Sequence, residues 1–300
     1  MTITSDPHEE ENKITPQFEK AAQKRESRRG FFLALPSYLY LVIFFVIPLF
    51  IVLVYSFATR NRFGGTDLSG WNFESYERIA EPIVRTILFR SLWLAFLTTV
   101  ICLLIAYPFA YFLSTRRPAI RNVMLVFVMI PFWTNFLVRN FAWRVILGND
   151  GPLTKTTEFL GLGTQELLFS QKAVVLGLVY GYLPFMILPL YAAIERIDGQ
   201  LIEASRDLYG SAWQSFRNVL LPLSMPGVIA GSILVFIPSM GAYVTPEILG
   251  GAKTTLLGSY IVTQFLTARN WPFGAALSFV LMAIMLIGTI IYFRKGGRTL

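Results

Sequence analysis

Long runs without charge alternate with short charged connections along this chain. The first run covers 30–59, and comparable apolar blocks cover about 91–115, 122–147, 173–194, 223–244 and 271–293. Each is close to or longer than the roughly 20 residues that an α-helix needs to cross a bilayer. The pattern predicts an all-α membrane protein with six transmembrane helices. The first block is far longer than a signal-peptide core and lacks a convincing cleavage site, so it reads as a retained span. Pro36 and Pro48 predict a kink or a late helix start within it. Prolines recur inside later spans at 108, 131, 184, 189, 226 and 238. Helices broken in this way are tolerated where neighbours or a water-filled cavity satisfy the freed backbone groups. That favours a transporter or channel over a simple anchor. Gly177-x-x-x-Gly181 and Gly227-x-x-x-Gly231 place small residues on one face, which lets helices approach closely in lipid.

The charged connections orient the spans. Lys24, Arg25, Arg28 and Arg29, then Arg116, Arg117 and Arg121, then Arg294, Lys295 and Arg298 all fall on one side of a six-span chain. The positive-inside rule makes that side the cytoplasm. Both termini and the 195–222 connection are then cytoplasmic, while 60–85 and the mainly acidic 148–171 lie outside. The layout expected is a disordered polar tail over 1–29, a first span with its external loop over 30–88, a helical core over 89–294 and a short cytoplasmic end over 295–300.

Composition narrows the function. With 54% hydrophobic and only 15% charged residues, the chain is too apolar for an ordinary soluble domain. Its net charge of +8 suits cytoplasmic loops rather than nucleic acid. The single cysteine, Cys102, lies in an apolar run and the single histidine, His8, lies in the tail. That excludes a disulfide framework and a Cys-based metal site, and it removes the usual parts of most hydrolytic chemistries. A chain of this kind is expected to be no enzyme and to hold no metal or cofactor of its own.

One polar connection stands out between two apolar spans, EASRDLYGSAWQSFRNVLLP at 203–222. Its pattern predicts two short helices. Asp198 can cap the first, with Leu201, Ala204 and Leu208 at helical spacing. Gly210 sits where a helix commonly stops in the left-handed conformation. Ser211 and Gln214 form a capping-box pattern for the second, which presents Trp213, Phe216, Val219 and Leu220 and is expected to end at Pro222. From the residues alone this reads equally as an amphipathic connection lying on the membrane surface or as an element that another protein holds.

Glu203, Ala204, Gly210, Val219, Leu221 and Pro222 resemble the EAA motif of ABC-importer permeases, with Ser205 in place of the second alanine. PFWTN (131–135), GLVYGYLPFMILPLY (177–191), LPLSMPGVIAG (221–231), YVTPEILGGAK (243–253) and RNWPFGAA (269–276) are similar to spermidine/putrescine importer permeases. This likeness covers about residues 30–293. It implies a type I importer permease fold in a bacterial inner membrane, and a mechanism of alternating access. It also implies three partners: a second similar permease, a homodimeric ATP-binding subunit and a periplasmic or extracellular polyamine-binding protein. ATP and magnesium would be bound by the ATPase. Glu203, Ala204, Ser205, Asp207 and Gly210 would form the coupling element seated in a groove on it.

A polyamine path should offer carboxylates, aromatic faces and carbonyl oxygens. Trp133, Thr134, Asn135, Tyr182, Tyr243 and Glu247 are the candidates, Glu247 being the best single carboxylate. Some relatives carry an acid beside the glycine of the G-x-[FY]-V stretch, where this chain has Ala242. The partner permease is therefore a possible source of a stronger cation site. Arg139 falls about 26 Å along a straight helix from Asn122, near the outer interface, so snorkelling is the expectation for it. The stretch Gly250 to Thr255 imitates a phosphate loop, but the two glycines that the motif requires are Glu247 and Ala252 here. Two other functions stay open: a permease of the same architecture for an amino acid, ferric iron or thiamine, and an ion-coupled secondary transporter. The second predicts intramembrane carboxylates and paired repeats, and few such acids and no evident repeat are found.

Overall fold

The computed structural model describes residues 31, 34–61, 65–68, 70–159 and 167–296. The expected tail over 1–29, Arg298 and the end of the chain lie outside them. The chain divides after Tyr55 into two units. The first holds all but the last residue of helix α1, Ala34–Ser56. A π-turn at Val42–Val46 ends with the amide of Ile47 donating to the carbonyl of Val42. It stands immediately before Pro48, whose ring would otherwise press on the preceding turn, so the expected kink takes this form.

The second unit opens with a two-residue hairpin, β1 (Thr59–Arg60) against β2 (Thr66–Asp67), antiparallel with Thr59 opposite Asp67. Helix α2 follows at Pro82–Ser114. It starts nine residues before the apolar block that predicted it, because Pro82 is preorganised for the first turn, Arg85 is exposed and Arg90 donates to the Lys253 carbonyl. Helices α3 (Pro118–Trp133) and α4 (Phe136–Leu147) come next. They correct the expectation of one span over 122–147, since the chain bends by 88° at the break. Pro131 cannot donate to the preceding turn, Thr134 is extended, and Asn135 caps α4 by accepting from the amides of Leu137 and Val138.

Short α5 (Pro152–Phe159) precedes α6 (Gln171–Glu195), which the Ser170 side chain caps. Then come α7 (Gly199–Asp207) and α8 (Ala212–Gly241). The expected second short helix does not end at Pro222, because it is the first part of α8. A π-turn at Phe216–Leu220 widens the backbone just before Pro222, so the helix continues through it. Beyond α8 lie a π-turn at Pro246–Gly250, a ten-residue apolar helix α9 (Leu257–Leu266) and α10 (Trp271–Gly296). Among the described residues, five helices are long and apolar enough to cross a membrane, and the bent α3–α4 pair makes a sixth candidate span.

Helices α2, α6 and α8 form the packed centre. Leu94, Thr98, Cys102, Ala106 and Ala110 recur every fourth residue on α2 and are buried. Against them lie Leu178, Met186 and Leu190 of α6 and Val235 of α8. Lipid tails are as apolar as these side chains, so close van der Waals packing holds the helices together rather than transfer from water. The second glycine pair shows this most clearly. A Cβ at Gly227 would lie 2.8 Å from the carbonyl oxygen of Pro189, and one at Gly231 would lie 2.7 Å from the sulfur of Met186. Polar ties join the same helices. The Tyr107 hydroxyl bonds Ser224 Oγ at 2.7 Å, and Tyr182 donates to the Pro238 carbonyl at 3.4 Å. Arg121 of α3 pairs with Glu195 at the end of α6.

Candidate functional site

Helix α7 carries the predicted coupling residues on a polar stretch that the Asp198 side chain starts, accepting from the Gln200 amide at 3.0 Å. Leu201, Ala204 and Leu208 recur on one face as predicted, yet they are exposed. Ile202 and Ser205 turn inward instead. Glu203 and Asp207 are exposed alongside. The turn after α7 differs from the expectation. The left-handed residue is Tyr209, with φ +58°, and Gly210 has negative φ. Gly210 is required for a different reason. Its amide donates to the Ser205 carbonyl at 3.1 Å, and a Cβ there would lie 2.4 Å from that same oxygen.

Ser205 therefore braces the loop from two sides. Its carbonyl closes the turn, and its hydroxyl bonds Ser215 Oγ on α8 at 2.8 Å. The capping box holds as predicted, with Ser211 N to Gln214 Oε1 at 2.7 Å and Gln214 N to Ser211 Oγ at 3.3 Å. These bonds join a protruding helix to a transmembrane one. At the tip, Tyr209 is 100% exposed and Leu208 82% exposed. The sequence reading placed Leu208 on the face of the helix but missed Tyr209 and the exposed tip that the two form. Two large apolar residues beside a turn glycine were the available signal.

The candidate pathway residues fall into two groups. Trp133, Thr134 and Asn135 occupy the break between α3 and α4. Asn135 serves as the cap described above, Thr134 Oγ donates to the Pro131 carbonyl at 2.7 Å, and Trp133 is 72% exposed. An aromatic chain leads from this break to Tyr182: Phe132 meets Phe185 edge-on at 5.1 Å, and Phe185 lies 6.2 Å from Tyr182. Tyr243 and Glu247 stand one turn apart and exposed past the end of α8, with the Glu247 amide donating to the Tyr243 carbonyl at 3.1 Å. Their turn at Pro246–Gly250 abuts both α4, which Asn135 caps, and α6, which bears Tyr182.

Arg139 is not where a straight helix would put it. After the bend, its guanidinium donates to the Pro131 carbonyl at 3.1 Å and lies over the rings of Phe136 and Tyr180 at 5.4 and 5.8 Å. It passes beside Gly181, where a Cβ would be 3.7 Å from it. Gly181 is ten residues from one end of α6 and fourteen from the other. The cation thus sits near the middle of a span, tied to a carbonyl that the break set free, and the interfacial estimate does not hold. Arg144 remains exposed, with its charge 5.8 Å from the Phe169 ring. No group of three metal-ligating side chains occurs among the described residues.

Comparison with known proteins extends this geometry. The family described as binding-protein-dependent transport system inner membrane component matches residues 103–294. The spermidine/putrescine transport system permease protein PotB of Haemophilus influenzae is 42% identical over 259 residues, spanning 85% of this chain and 90% of that protein. Its counterpart in Escherichia coli K12 is 38% identical over 257 residues, spanning 85% and 93%. Among solved structures, a bacterial alginate ABC transporter in complex with an alginate pentasaccharide-bound periplasmic protein is similar. It aligns with TM-score 0.73 at 13% identity, over 92% of this chain and 96% of that one, a likeness of fold.

Proposed function

The chain belongs to the binding-protein-dependent transport system inner membrane components, and from that premise we propose that it is the permease subunit of an ATP-driven importer for the polyamines spermidine and putrescine. It is a transporter component of the inner membrane rather than an enzyme. The observation that carries the substrate class is the 42% identity to a spermidine/putrescine permease along 85% of the chain.

In this reading six spans cross the bacterial inner membrane with both termini in the cytoplasm, and the fold is that of a type I importer. The chain works with a second related permease, a homodimeric ATPase that binds ATP and magnesium, and an external polyamine-binding protein. The exposed face of α7, with Glu203, Ala204, Asp207 and the Leu208–Tyr209 tip, seats in the ATPase. Ser205 and Gly210 keep that face rigid. Because α8 runs unbroken from the capping box through its π-turn, a displacement of α7 passes into a transmembrane helix. The close contact of Gly227 and Gly231 with α6 then carries it to Tyr182 and the broken span. Trp133, Thr134, Asn135, Tyr182 and Tyr243 offer aromatic faces and oxygens along the route, and Glu247 offers the carboxylate.

The test is uptake of labelled spermidine and putrescine in cells stripped of their own polyamine importers and supplied with the complete complex. Uptake that needs this chain and ATP is expected. A complex that assembles and hydrolyses ATP with its binding protein, yet carries neither polyamine, would overturn the substrate assignment.

A further inference from the structure

A second feature lies beside the coupling helix and takes no part in docking or in the route above. A groove of about 730 Å³ opens between α2 and the start of α8, within the range of roughly 300–1,000 Å³ typical of small-molecule sites. Leu103, Leu104 and Tyr107 line it from α2, Trp213 and Phe216 line it from α8, and Arg206 of α7 stands at its polar end. We propose that this groove binds an anionic phospholipid, with an acyl chain along the apolar floor and the phosphate on Arg206.

Depth is the first argument. Leu103 lies eleven residues before the end of α2, about 16 Å along a helix, so the floor runs well into the hydrocarbon. Arg206 belongs to the polar loop outside it. The groove therefore crosses the boundary between tail and headgroup, where a water-soluble subunit does not reach. Chemistry is the second argument. Arg206 is the one charged residue among those lining the groove, and no carboxylate among the described residues lies within ion-pair distance of it. Two of the hydroxyls lining the groove are already used, Tyr107 by Ser224 and Ser215 by Ser205, which leaves that of Tyr111 beside the Arg206 charge among the polar groups of the lining. A polyamine would meet a like charge there, whereas a phosphate would meet its complement. Access is the third argument. Leu104 is 68% and Trp213 66% exposed, and an indole is favoured at the level of the headgroups. The inference rests on the membrane topology proposed above and not on the identity of the transported solute.

Native mass spectrometry of the whole importer, extracted from membranes containing phosphatidylglycerol and phosphatidylethanolamine, tests it. Retained phosphatidylglycerol is expected on the wild-type complex. It should fall about tenfold in Arg206→Gln, and similarly in Leu104→Trp, which fills the floor without touching the charge. Equal retention in the wild type and both variants, or preference for phosphatidylethanolamine, would overturn the proposal. So would efficient crosslinking of a Leu104→Cys variant to the second permease, because a partner helix would then occupy the groove. The readout is binding, so it stands apart from any failure of polyamine uptake.

Discussion

Single residues in the proposed coupling loop carry tasks that their neighbours define. Gly210 was expected as a left-handed stop, but Tyr209 takes that conformation and Gly210 is set by its approach to the Ser205 carbonyl. A side chain there must move backbone, and proline would also remove the amide that closes the turn. Gly210→Pro should abolish uptake while the permease still reaches the membrane, and Gly210→Ala should lower it at least several-fold. Normal uptake in a well-expressed Gly210→Pro variant would end the coupling role. Ser205→Ala loses one hydrogen bond, worth about 1 kcal/mol, and should be milder. Glu203→Ala removes an exposed carboxylate with no ion pair among the described residues, so lost uptake with unchanged thermal stability is the expected pair of readings. Arg139 behaves in the opposite sense. Arg139→Ala removes a charged hydrogen bond to the Pro131 carbonyl, worth about 1.5–3 kcal/mol, although the Thr134 hydroxyl still donates to that oxygen, and should lower the melting temperature of the detergent-solubilised complex.

Helices and their interruptions decide which motions are available. The α3–α4 break depends on Pro131 and on the Asn135 cap. Asn135→Ala should cost about 1 kcal/mol, seen as a lower melting temperature, whereas Asn135→Asp, which keeps the accepting oxygen, should come close to the wild type. Similar loss in both variants would point to a role other than capping. The apolar pattern predicted the existence of this span but not its bend. Hydropathy counts residues without regard to direction, and a bend of 88° leaves the count unchanged. The same limit explains Pro222. A proline at a helix start and a proline tolerated after a π-turn look alike in sequence, because the widening belongs to the backbone of the preceding turn.

At the scale of the molecule, topology is the property most directly open to test. Single cysteines can be placed at Asp150 and Asp207, with buried Cys102 giving little background. A membrane-impermeant thiol reagent should label Asp150→Cys in intact cells, and should label Asp207→Cys only after the membrane is opened. The reverse pattern would invert the chain and remove the ATPase from reach of α7. Much of this arrangement was legible in advance: the spans, the caps at Asp198 and Ser211, and the polar helix–turn–helix loop all follow from local spacing and charge. The proposed pathway was less legible. Tyr182 meets the break through Phe132 and Phe185, and those contacts join residues some fifty positions apart.

What the sequence determined by itself is whatever depends on a neighbour within a few residues or on the membrane as a solvent. Runs of apolar side chains favour lipid, basic clusters favour the cytoplasmic side, and a capping hydroxyl acts on an amide three residues away. Only the tertiary structure decided where Arg139 stands, why Gly210 is glycine and how α7 connects to α8. The first two turn on a backbone carbonyl, at Pro131 and Ser205, and the third on the hydroxyl pair of Ser205 and Ser215, all placed by how the chain bends.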